Sequence, residues 1–77
     1  MSVALGMKIK AMRRLKRITQ QELADSIGIS VSQLSCIERG NKYPRQEIIL
    51  EIADALGISP YEFFILPEHL KRHALYN

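Results

Sequence analysis

The sequence predicts an all-α bundle of five helices, with a sixth short helix if Pro67 opens one. Three observations predict it. Apolar residues recur at helical spacing through most of the chain. Three Ser/Thr positions, Thr19, Ser30 and Ser59, are each followed three residues later by Glu or Gln, the pattern of a capping box. The chain has 77 residues, which makes one domain with a marginal core, and short-looped helices are the economical way to close it.

The elements follow in order. Ile9, Met12 and Leu15, with Leu5 a turn earlier, share one face of a first helix over about residues 5–16. Lys10, Arg14 and Arg17 lie on its other faces, and Arg17 and Ile18 link to the next element. Thr19 caps a second helix over 20–27, with Glu22 as the reciprocal residue; Leu23, Ala24 and Ile27 form its apolar side. Gly28 ends it, since glycine enters the left-handed region without a Cβ penalty. Ile29 follows as an apolar plug. Ser30 and Gln33 open a third helix over 31–39, Leu34 and Ile37 point inward, and Gly40 stops it. Pro44 stiffens the turn into a fourth helix over 46–56. Its stripe is Ile48, Ile49, Ile52, Ala53 and Leu56, with Glu47, Glu51 and Asp54 towards water. Gly57 ends that helix. Ser59 with Glu62 predicts a third box, and Pro60 takes the favoured first position of a fifth helix over 60–64. Tyr61, Phe63 and Phe64 are too apolar to be all exposed. At least one closes the core beneath the first helix, and the others are candidates for a dimer face. In the tail, residues 65–77, Leu66, Leu70, Ala74 and Leu75 fall on one side of a helix begun at Pro67; this segment covers the aromatic patch in its own chain or in a partner's.

Ala24 and Gly28 let two helices approach closely across a short turn, so residues 20–39 read as a helix-turn-helix, whose second helix is free to enter a DNA groove. The pattern resembles the phage repressor/Cro type of this motif, the XRE family, which is lambda-repressor-like. Gln20, Leu23, Ala24, Ile27, Gly28, Ile29, Leu34, Ile37, Glu38 and Gly40 carry the resemblance, which extends over about residues 9–64. It implies a sequence-specific DNA-binding transcriptional regulator, most simply a repressor. One small module offers limited contact area, so a homodimer on a palindromic operator is expected, with Tyr61, Phe64, Leu66 and Leu70 at the interface.

With Leu34 and Ile37 inward, the helical wheel puts Ser32, Cys36 and Arg39 almost opposite and Ser35 beside them. Val31 and Gln33 lie on the flanks near the helix N-terminus, which enters the groove first. Val31, Ser32, Gln33, Ser35 and Cys36 are therefore the expected base contacts. This set has hydroxyls and apolar groups but no amide opposite the core, whereas related proteins often carry glutamine at the places of Val31, Ser32 or Cys36. Serine discriminates bases weakly, so part of the specificity is expected to be indirect. Phosphate contacts are assigned to Gln20, on the resemblance, and to Ser30, Asn41, Lys42 and Arg45, with Tyr43 nearby. Arg39 can reach a guanine edge or a phosphate, and phosphate is favoured. The resemblance also implies a partly buried ion pair between Arg13 and Glu38.

Charge and composition narrow the classes. Net charge is +3, but residues 1–17 hold six basic groups and no acid, while the remaining sixty hold five basic and eight acidic. A positive end suits phosphates, although alone it is equally a solvated basic helix. No run is long enough for a membrane span, and the N-terminal charges follow the apolar residues, unlike a secretion signal. A cytoplasmic location is expected. The single Cys36 excludes an internal disulfide; a lone cysteine is usually inert packing, against which stands a thiol switch on DNA binding. His69 and His73 have a zinc-compatible spacing but no nearby third ligand, so neither metal nor cofactor is expected. No residue cluster has triad or metal-ligand spacing, which argues against an enzyme. The rival reading is an antitoxin-like or adaptor module whose tail grips another protein.

Overall fold

The computed structural model describes residues 3–63. Within them lie four α-helices and one closing 3₁₀ turn, with no strand: α1 Val3–Leu15, α2 Gln20–Ile27, α3 Val31–Glu38, α4 Gln46–Leu56 and the turn Pro60–Phe63. The expected fifth α-helix is thus a single 3₁₀ turn. Its opening explains why: the Glu62 N–H donates to the Ser59 carbonyl at 3.0 Å, an i→i+3 bond. The Ser59 hydroxyl accepts from the Tyr61 N–H at 3.3 Å instead of from Glu62, so the third capping box does not form. The predicted sixth helix, and Phe64, Leu66, Leu70, His69 and His73, lie outside the described residues.

Helix α1 packs on α3, and α2 packs on both α3 and α4, while α4 and the 3₁₀ turn close the base under α1. The core consists of Leu5 and Ile9 from α1, Leu23, Ala24 and Ile27 from α2, Leu34 and Ile37 from α3, Ile49, Ile52, Ala53 and Leu56 from α4, and Phe63. Phe63 is the aromatic that closes the core; Tyr61 is 83% exposed.

The inward stripe of α1 differs from the expected one. Leu15 is 76% exposed. The buried residues are Leu5, Gly6, Ile9 and Arg13, a run at four-residue steps from Leu5. At about 100° per residue, Leu15 is turned about 200° from Arg13 and must face water. Gly6 is inward because α1 crosses against the end of α3. A Cβ there would overlap the Ile37 carbonyl oxygen and lie 2.6 Å from that of Glu38. This close approach brings Arg13, two turns further on, within reach of Glu38.

All four helices end alike. A residue in the left-handed region, Arg17 (φ 59°), Gly28 (73°), Gly40 (80°) or Gly57 (70°), closes each one. The next residue's N–H then returns to a carbonyl five positions back: Ile18 to Arg13 at 3.1 Å, Ile29 to Ala24 at 3.0 Å, Asn41 to Cys36 at 2.9 Å and Ile58 to Ala53 at 3.0 Å. These are Schellman closures. Ile18, Ile29 and Ile58 then fold back on the core as plugs.

Candidate nucleic-acid interface

Three helices meet at one carboxylate. Arg13 Nε donates to Glu38 Oε2 at 2.7 Å and Arg13 Nη2 to Glu38 Oε1 at 3.1 Å. Gln20 Nε2 donates to the same Oε1 at 3.0 Å, and Arg13 Nη1 reaches the Ile18 carbonyl at 2.8 Å. The Arg13 and Glu38 side chains are 9% and 2% exposed. Among the described residues no buried side-chain nitrogen or oxygen lacks a partner. Burying two charges costs desolvation, so the pair's net stabilisation is small. Its two-pronged geometry is specific. It fixes the last residue of α3 against the last turn of α1 and the first residue of α2.

The outer side of α3 faces away from that anchor. Ser32 and Gln33 are exposed, and Val31, Ser35 and Cys36 are half-buried. Gln33 is partly committed: its Oε1 accepts from the Ser30 N–H at 2.9 Å, while Ser30 Oγ accepts from the Gln33 N–H at 3.0 Å. Arg39, the residue that caps α3, folds back along the same side. Its Nη1 donates to Ser35 Oγ and its Nη2 approaches Cys36 Sγ at 3.5 Å.

The candidate phosphate groups precede and follow α3 in the chain. On one side is the start of α2, where Thr19 caps the Glu22 N–H at 3.0 Å and Gln20 is half-buried. Gln20 turns one amide hydrogen inward to Glu38, so any phosphate contact must use its remaining polar atoms or the main-chain N–H groups beside it. Arg14, Lys16 and Arg17 are exposed at the end of α1, one short link before this point. On the other side, Asn41, Lys42, Tyr43 and Arg45 are exposed in the loop after α3, with Pro44 buried beneath them. A shallow cavity of about 220 Å³ joins this loop to α3, with Gln33, Lys42, Tyr43 and Arg45 on its rim and Ile29, Ile37 and Ile48 below. Glu47, Glu51 and Asp54 are exposed on α4.

Sequence reasoning assigned the α3 surface by helical period, but it missed the Gln20–Glu38 bond and the seating of Arg39 on Ser35. The four-residue spacing of Ser35 and Arg39 was the available signal for the second. The first joins residues 18 apart, and no local spacing announces it. Among the described residues there is no group of three or more His, Cys, Asp or Glu that could hold a metal, and no helix long and apolar enough to cross a membrane.

Known proteins resemble this chain in sequence and in fold. A helix-turn-helix family model matches residues 9–63. The chain is 51% identical over 57 residues to the uncharacterised HTH-type transcriptional regulator YazB of Bacillus subtilis, covering 74% of this chain and 83% of that one. It is 38% identical over 56 residues to the immunity repressor protein of Bacillus phage phi105, covering 73% of this chain and 39% of the repressor. The crystal structure of SinR, a master regulator for biofilm formation, in complex with DNA superposes with a TM-score of 0.74 at 29% identity, covering 79% of this chain and 98% of SinR.

Proposed function

The chain belongs to the helix-turn-helix family of transcriptional regulators, of the phage repressor/Cro type, and on that premise we propose that it is a sequence-specific DNA-binding repressor of the cytoplasm. It acts as a homodimer on a palindromic operator, with α3 in the major groove. The observation that carries this reading is the outer side of α3. It is polar and accessible at Ser32, and the inner side is anchored through Glu38 to both neighbouring helices. A reading helix needs that combination: the exposed side can reach base edges, and the anchor holds it in one orientation relative to the rest of the domain.

In this reading Val31, Ser32, Gln33, Ser35 and Cys36 face the bases. Val31 suits a thymine methyl, and Ser32 accepts or donates to base edges. Gln20, Ser30, Asn41, Lys42 and Arg45 hold the two flanking backbones. Tyr61, exposed at the end of the described chain, belongs with Phe64, Leu66 and Leu70 to the dimer contact that sets half-site spacing. Cys36 packs beside Arg39 and needs no redox role.

The test starts from duplexes selected out of random DNA by the purified protein, with affinities then measured over a range of salt. Lys42→Ala weakens all sequences alike and lowers the salt slope by about one. Ser32→Ala or Ser32→Gln changes the order of preference among sequences. Equal losses on operator and random DNA for the Ser32 variants would refute the base contact. A protein with no sequence preference but one stoichiometric protein partner would favour the adaptor reading.

A further inference from the structure

Arg39 sits at the C-terminal end of α3, where position alone points to the phosphate backbone. Its side chain lies elsewhere. Helical side chains lean towards the N-terminus, and Arg39 follows this: its guanidinium rests on Ser35 Oγ and Cys36 Sγ, one turn back along the outer side. The charged group is therefore at the level of Ser35, in the middle of the surface that faces the bases, and not at the helix end. Arg39 is exposed, and among the described residues it has no carboxylate partner, the one salt bridge there being Arg13–Glu38.

The rest of that surface lacks a strong reader. Base-specific recognition is sharpest where two hydrogen bonds reach one base edge: Arg to guanine O6 and N7, or Gln to adenine N6 and N7. Gln33 is the only amide on α3, and its oxygen is already held by the Ser30 N–H, which ties the amide to the helix cap and competes with the acceptor role that adenine N6 requires. Ser32 and Ser35 each offer one hydroxyl, and Val31 and Cys36 offer apolar contact. Arg39 alone presents a planar fork. Of its five N–H donors two are spent, one of them on a sulfur that accepts weakly, and one N–H remains on each of Nε, Nη1 and Nη2.

Building on the DNA-binding reading above, we infer that Arg39 reads a guanine in the major groove and that Ser35 is the residue that positions it. Ser35 holds the fork over the helix, so the long side chain loses less freedom when it meets the base. Arg39 thereby supplies the discrimination that the serines do not.

The experiment is in vitro selection from random duplexes with wild type, Arg39→Ala, Arg39→Gln and Ser35→Ala, after thermal melts establish that each variant is folded. The wild-type motif contains a guanine in each half-site. Arg39→Ala loses preference at that position by about tenfold or more and leaves the other positions unchanged. Arg39→Gln moves the preference there towards adenine. Ser35→Ala keeps the motif but shrinks the guanine preference several-fold. If Arg39→Ala weakens every sequence equally and keeps the same motif, Arg39 is a phosphate clamp and the inference is overturned, while the DNA-binding reading stands. If Ser35→Ala leaves the guanine preference intact, its positioning role is overturned. If wild type selects no motif at all, the DNA-binding reading fails and takes this inference with it.

Discussion

Arg13 shows how one residue can decide the placement of a reading surface. It occupies an inward position on α1 where an apolar side chain would pack, and it is 7% exposed. Its guanidinium is matched on both prongs by Glu38 and by the Ile18 carbonyl. Arg13→Met leaves the Glu38 carboxylate buried, with the Gln20 amide on the α2 side as its remaining side-chain donor. Breaking one half of such a pair costs about 3–5 kcal/mol, which in a domain of this size lowers the melting temperature by on the order of 15 °C or more. Thermal denaturation checks this, and the Arg13→Met/Glu38→Met double variant recovers most of the loss because no charge is then stranded. An unchanged melting temperature for Arg13→Met would show the pair to be dispensable. The residue scale is where the sequence was hardest to read. The partnership of Arg13 and Glu38, 25 residues apart, came from family likeness and not from spacing. Gly6 carried no signal of its own, because a glycine inside a helix shows its purpose only once the helix crossing it is known. Leu15 matched a three-residue step on paper, yet the buried stripe runs at four.

At the scale of elements, the caps were the most legible feature. The bounds expected for α2 and α4 coincide with those observed, and α3 differs only in that Arg39 caps it and is not its last residue. These ends are set by local chemistry: α2 and α3 start on a hydroxyl with a carboxylate or amide three residues on, α4 starts at Arg45 just after Pro44 with no side-chain cap, and a glycine follows each of the three. Local chemistry also explains the two misses. Arg17 adopts the left-handed conformation that glycine holds at the other three helix ends, so the end of α1 had no glycine to mark it. Ser59–Glu62 has the residues of a capping box, but the Ser59 hydroxyl takes the Tyr61 N–H and the first turn closes from Glu62 to the Ser59 carbonyl, so Pro60–Phe63 winds as a 3₁₀ turn. The α2 box makes a prediction in pH. The Thr19 N–H, and then the Thr19 hydroxyl, hold the Glu22 carboxyl below its ordinary value of 4.5. A carboxylate depressed by folding adds stability above the unfolded value, and that stability is lost as pH falls through the lower folded value. Denaturant titrations from pH 6 down to about pH 3 should show this loss in wild type. In Glu22→Gln, where the acceptor oxygen stays but the ionisation is gone, the contribution of this residue is flat across the same range.

On the scale of the whole molecule, charge and exposure divide the surface. Exposed basic or polar groups stand on both sides of the helix-turn-helix in the chain: Arg14, Lys16 and Arg17 before α2, and Asn41, Lys42 and Arg45 after α3. Glu47, Glu51 and Asp54 occupy the exposed side of α4. A polyanion would be drawn to the first and repelled by the second. This division was legible as a charge imbalance along the chain, but the flanks became visible only when the fold placed the loop after α3 beside Gln33 and Ile29. The most direct test of the account titrates a selected operator duplex into isotope-labelled protein and follows the amide resonances. The account predicts that the largest changes fall on Thr19 to Gln21, on Ser30 to Cys36 and on Asn41 to Arg45, with Glu47, Glu51 and Asp54 unmoved. Changes centred on α4 and Tyr61, with Ser32 and Ser35 silent, would contradict it.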